Sequence, residues 1–137
     1  MGAIYARGNT LIKKFNMCSA DVKSRLFRSY CSILYCSSLW CSFNATIYRK
    51  LQSSYNRMFR YFFKLETQCS ISAKCLEFNV DSFKVLMRKC TFGFRNRILL
   101  CDNVLVQSIT RPMIFVSSKI NERWNDLLFT FHLYHII

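Results

Sequence analysis

The side chains able to do chemistry in this 137-residue chain are eight cysteines, two histidines, seven carboxylates and twenty lysines and arginines. A zinc site needs paired ligands close in sequence, so that four donors can close on one ion. Cys18, Cys31, Cys36, Cys41, Cys69, Cys75, Cys90 and Cys101 contain no C-x-x-C pair. His132 and His135 are three apart and could share a helix face, but no cysteine lies near them in sequence. Residues 1–15 scatter basic side chains and carry no continuous apolar run of the kind an export signal has. The thiols of an unexported chain stay reduced and act as small buried hydrophobes. The expectation is an intracellular protein, nuclear or cytoplasmic and not secreted, with no bound metal and no cofactor.

Hydrolytic and phosphoryl-transfer chemistry leave their own marks, and these are missing. There is no G-x-S-x-G, no G-x-x-x-x-G-K-[ST] and no H-E-x-x-H. A two-metal site needs neighbouring acids, whereas Asp21, Asp81, Asp102 and Asp126 are isolated from one another and suit helix caps or surface positions. The chain by itself is therefore expected not to be an enzyme and to take no small-molecule substrate.

The basic residues remain, and their distribution is uneven. Residues 1–64 hold Arg7, Lys13, Lys14, Lys23, Arg25, Arg28, Arg49, Lys50, Arg57, Arg60 and Lys64 against Asp21 alone, a net +10 of the chain's +13. Such a segment repels itself unless an anionic partner neutralises it, and nucleic acid or an anionic membrane surface are the usual partners. The chain is not a disordered basic tail, because it is 52% hydrophobic and 16% aromatic. One Pro and three Gly exclude collagen-like and low-complexity chains and argue against a turn-rich sandwich.

Helices must position these charges. Over Phe43–Lys64, a helical wheel gathers Ile47, Tyr48, Leu51, Tyr55, Met58, Phe59 and Phe62 in one arc and Arg49, Lys50, Arg57, Arg60 and Lys64 in the opposite one. A solvated helix face usually mixes signs to gain i,i+4 pairs, and this one carries no acid. Ser19 or Asp21 can cap a preceding helix with Val22, Leu26, Tyr30 and Ile33 on one side and Arg25 and Arg28 away from it. Ile4–Phe15 reads as a further helix weakened by Gly8. Beyond Lys64 the spacing predicts a short helix over Ser72–Phe78. A longer helix, capped at Asn79 or Asp81, follows with Phe83, Leu86, Met87, Cys90 and Phe94 on one face and Lys84, Arg88 and Arg95 on its flank. A short helix starts at Asp102 or Asn103 and runs through Ile109, and a last one from Ser118 aligns Ile120, Trp124, Leu127, Leu128 and Phe131. The fold class is all-α, a small bundle of about six or seven helices of unequal length. Residues 1–64 form a basic three-helix segment, and residues 65–137 form shorter helices that pack on it.

Ser29–Tyr48 is an uncharged stretch of twenty residues, the length of a membrane span. Seven of the twenty are Ser, Asn or Thr, so a core helix followed by a turn near Cys41–Asn44 suits the stretch better. The tail Leu127–Ile137 is apolar but too short to span a bilayer.

The run Tyr5-Ala6-Arg7-Gly8-Asn9-Thr10-Leu11-Ile12-Lys13-Lys14-Phe15 resembles a segment of the reverse transcriptases of LINE-type retrotransposons, those without long terminal repeats. Asp21–Cys31, Leu34-Tyr35, Leu39-Trp40, Leu51, Tyr55-Asn56 and Phe59-Arg60 extend the resemblance. Ser70-Ile71-Ser72-Ala73, Phe83, Leu86-Met87-Arg88-Lys89, Phe94 and Arg97 carry it to about residue 109. In that family the region follows the palm, in the helical thumb and the connection beyond. The resemblance implies that the chain holds a template–primer duplex without performing chemistry, since the palm's paired aspartates are missing. It also implies apolar surface that once faced a palm and is now free for self-association. The alternatives from other classes are a non-functional retrotransposon relic and a small membrane-associated helical protein.

Overall fold

Asn44 opens the longest helix of the protein. Its Oδ1 accepts the Ile47 N–H at 2.8 Å, and α3 then runs Ala45–Phe63 before ending on Lys64 in the left-handed region (φ 54°, ψ 45°). The computed structural model describes residues 2–32, 34, 37–39 and 44–129, the side chains of residues 2–4 and 114 excepted. The remaining helices are α1 (Gly2–Phe15), α2 (Ala20–Tyr30), α4 (Ile71–Glu77), α5 (Phe83–Leu99), α6 (Val104–Thr110), α7 (Met113–Val116) and α8 (Lys119–Phe129), with a 3-10 turn at Ser37–Leu39. The described residues contain no strand, and the protein is all-α.

The chain divides into two compact units, residues 1–35 with 43–86 and residues 36–42 with 87–137. The boundary falls at Leu86, not at the expected position 64. The reason lies in the core of the first unit, where α3 is covered by residues from beyond Lys64. Phe78 stacks on Phe63 (4.5 Å between centroids), Phe83 packs against Tyr55 (5.7 Å), and the Tyr55 hydroxyl donates to the Asp81 carbonyl at 2.7 Å. Phe27 of α2 lies at the centre, edge-on to Tyr55 and Phe59 at 5.3 and 5.4 Å. Phe27, Tyr55, Met58, Phe59, Phe62 and Phe83 are all essentially inaccessible. Burying each such side chain is worth about 1.5–3 kcal/mol, and edge-on aromatic pairs add about 0.5–1.5 kcal/mol.

Two helix faces differ from the sequence expectation. α2 turns Lys23, Ser24, Phe27 and Cys31 inward, while Val22 and Tyr30 are exposed. Phe27 outweighs the smaller aliphatics, and docking it rotates the helix by about one residue. The polar residues brought inward are satisfied: Ser24 Oγ donates to the Ala20 carbonyl at 2.9 Å, and the Lys23 ammonium lies 5.8 Å from the Phe62 ring centroid. Ile33 lies outside the described residues. On α3 the expected arc holds from Leu51 to Phe62, but Ile47 is exposed and Ser54 and Phe63 are buried.

Gly8 is compatible with α1 because of what it faces. It is buried, and a Cβ there would run into the Met58 Sδ of α3. The glycine that weakened the helix reading is what lets α1 pack closely on α3.

The second unit is built on Trp124. Its indole N–H donates to the Ser38 carbonyl at 2.7 Å, and Phe94 and Phe115 approach its ring at 5.9 Å. Asn103 caps α6 by accepting the Leu105 and Val106 N–H groups, and Pro112 precedes α7. Ser82 precedes α5, its carbonyl accepting the Leu86 N–H, so neither Asn79 nor Asp81 takes the cap position. Ser29–Tyr48 is not one helix, since α2 ends at Tyr30 and Asn44 starts α3. Among the described residues no helix is long and apolar enough to cross a membrane. Trp40–Phe43 and residues 130–137, with Phe131, His132 and His135, lie outside the described residues.

Candidate nucleic-acid interface

The outer face of α3 carries two adjoining clefts in the first unit. The first, about 360 Å³, is lined by Thr46, Arg49, Lys50, Ser53, Ser54 and Arg57 of α3 and by Tyr5 of α1. The second, about 450 Å³, shares Ser53 and Arg57 and adds Asn56, Arg60, Tyr61, Leu65, Thr67 and Ile71. Neither wall contains a carboxylate. Glu66, beside Thr67, is exposed and lines neither cleft.

The helix period explains the gathering. Positions 49, 53, 56, 57 and 60 fall on one side of α3 because residues three and four apart stack on the same face. The opposite side is anchored by Leu51, Tyr55, Met58, Phe59 and Phe62 in the aromatic core, which fixes the rotation of the helix and therefore the direction of its cations. Arg60 is held further: its Nη2 donates to the Cys69 carbonyl at 3.2 Å, tying it to the turn before α4.

The eleven basic residues expected to bind nucleic acid therefore separate into groups. Arg49, Lys50, Arg57 and Arg60 line the clefts. Lys13, Lys14, Arg25 and Lys64 are exposed but line neither. Arg7 Nη1 reaches the Tyr30 carbonyl at 3.5 Å, where a cation suits the negative end of α2. Arg28 Nε bonds the Ser24 carbonyl of its own helix at 3.4 Å. Lys23 is only 8% exposed and engaged with Phe62, so it does not belong to an open basic face. The expected stripe of Lys84, Arg88 and Arg95 also dissolves. In the second unit Arg88 Nε donates to the Leu127 carbonyl at 3.1 Å and the Arg95 guanidinium lies over the Phe129 ring, so both arginines serve the packing of α8.

Sequence reading missed the neutral partners of the cations, Tyr5, Ser53, Asn56, Tyr61 and Thr67. For Ser53, Asn56 and Tyr61 a signal existed, because they fall on or beside the wheel arc that holds the arginines. Tyr5 and Thr67 come from other segments and carry no such signal.

Two of the described thiols, Cys31 and Cys75, are buried in the first unit. Burial raises Cys31 and Cys75 from 9.0 to about 11, with Arg7 partly offsetting the effect at Cys31, so both are neutral near pH 7. Burial also pushes the Tyr55 hydroxyl well above its ordinary value, its hydrogen bond with Ser32 acting in the opposite sense. Among the described residues no three His, Cys, Asp or Glu side chains come together as a metal site would require. Comparison with known proteins finds no match: no family model fits the chain, and neither a curated protein nor a solved structure is significantly similar to it.

Proposed function

We propose that this protein is a non-catalytic module that grips the phosphate backbone of a nucleic-acid duplex with the outer face of α3. The observation that carries the reading is the set Arg49, Lys50, Arg57 and Arg60, interleaved with hydroxyl and amide side chains in two adjoining clefts without a carboxylate. Lys and Arg give affinity through phosphates, and Ser, Thr, Asn and Tyr supply the neutral donors that fix register on a backbone. From Arg49 to Arg60 the helix advances about 16 Å. That matches roughly five base-pair steps along the duplex axis at about 3.4 Å per step. The resemblance of the same segment to the thumb and connection of LINE-type reverse transcriptases supports a retroelement-derived piece that holds a template–primer without chemistry.

A salt titration of binding to a blunt duplex, followed by fluorescence anisotropy, tests the reading. Four phosphate contacts predict that log K falls with log[salt] at a slope near −3.6, about 0.9 per contact. The pair Arg49→Glu and Arg57→Glu is expected to weaken binding and flatten the slope by about 2. A flat dependence, or no binding at low salt, overturns the proposal.

A further inference from the structure

The second cleft on α3 contains more than a backbone contact requires. Along Phe59–Phe63 the chain places Phe59, Phe62 and Phe63 in the core but leaves Tyr61 61% exposed. Among the described residues its ring meets no other aromatic ring. It lines the cleft instead, together with Arg57, Arg60, Asn56 and Thr67 and the half-buried aliphatics Leu65 and Ile71. Phosphates of a duplex call for cations and hydroxyl or amide donors, and they make no use of the face of an exposed aromatic ring or of aliphatic side chains.

The combination does suit a nucleotide. A base presents a π-face to an aromatic ring and hydrogen-bonding edges to an amide or hydroxyl, and its phosphate pairs with guanidinium groups. The cleft, about 450 Å³, is within the range of about 300–1,000 Å³ usual for small-ligand sites. Its guanidinium wall is partly built, because the Cys69 carbonyl holds Arg60 at 3.2 Å.

We infer that this cleft takes one unpaired nucleotide, its base stacked on Tyr61 and its phosphate on Arg57 and Arg60. The module then recognises a duplex with a single-stranded extension rather than a plain duplex. The inference rests on the phosphate-binding reading of the same face and adds the feature of the nucleic acid that the face selects.

Two probes separate the claims: a short blunt DNA duplex, and the same duplex with a four-nucleotide single-stranded extension containing 2-aminopurine. The full chain is expected to bind the extended probe at least about fivefold more tightly and to quench the 2-aminopurine fluorescence. Tyr61→Ala should abolish both the preference and the quenching while leaving the salt slope on the blunt duplex, which the cations set, at about −3.6. Tyr61→Phe, which keeps the ring, should restore them. Circular dichroism melts verify that the variants fold. Equal affinity of the wild type for the two probes, or a preference that survives in Tyr61→Ala, overturns the inference while leaving backbone binding intact. Failure to bind either probe at low salt brings down the backbone reading itself.

Discussion

Single atoms decide two properties of this protein at the residue scale. At Gly8, replacing a hydrogen by a methyl group drives a carbon into the buried Met58 side chain. Gly8→Ala gains about 1 kcal/mol of helix propensity in α1 but costs about 1–3 kcal/mol in overpacking. The expected net result is a lower melting temperature, with Met58→Ala in the same chain relieving part of the Gly8→Ala penalty in a double-mutant cycle. The buried thiols set a pH limit. Cys31 and Cys75 hold their protons to about pH 11 in the folded protein, against 9.0 ordinarily. Unfolded thiols ionise first, so the stability linked to burial is complete below pH 9 and is lost as pH rises towards 11. Tyr55 shifts in the same direction and adds to the loss near the top of that window. Thermal melts should be flat from pH 7 to about 8.5 and fall above pH 9. A melting temperature that holds to pH 11 would count against this assignment.

At the scale of the element, α3 organises the first unit because its two faces do opposite work. The apolar arc was legible in the sequence since Leu51, Tyr55, Met58, Phe59 and Phe62 recur at helical spacing, and the structure buries all five. Its N-terminus depends on one side chain. Asn44→Ala removes the acceptor of the Ile47 N–H and is expected to cost about 0.5–2 kcal/mol, read as a shift in the urea midpoint with an unchanged m-value. α2 was misread because its aliphatics Val22, Leu26 and Tyr30's ring form a plausible stripe by period alone. Period does not weigh one large ring against several smaller groups, and Phe27 wins once the aromatic partners of α3 are beside it. The stripe of Arg88 and Arg95 failed for a related reason, because a charged side chain at helical spacing can equally cover a neighbour's backbone or ring.

Charge and apolar surface are distributed differently over the whole molecule. The first unit holds thirteen basic and four acidic residues, net +9, and the second seven and three, net +4. The second unit instead exposes carbon. α6 buries no residue, and Val104, Leu105, Ile109 and Met113 are each more than two-thirds exposed. Beside them an apolar groove of about 550 Å³ includes Val106, Ile109, Phe115, Ile120 and Trp124. An apolar surface of this kind favours association. We expect sedimentation velocity to show concentration-dependent self-association, and the pair Leu105→Glu and Met113→Glu to shift the protein to the monomer. A monomer at every concentration would remove that expectation.

The sequence by itself determined the helical class, because the 3.6-residue recurrence of apolar side chains needs only local geometry. It also determined that most of the net positive charge lies in the first 64 residues and that α3 separates cations from core, since both are properties of order along one chain. Only the tertiary structure decided which cations remain available. Arg7 is drawn to a helix end, Lys23 to a ring, and Arg88 to a carbonyl, each through a partner distant in sequence. It also brought Thr67 and Ile71 beside Tyr61 and the arginines, turning a basic helix face into a shaped cleft. The physical reason is that helical period fixes where a side chain points on its own helix, whereas what it meets depends on which rings win the competition for the core.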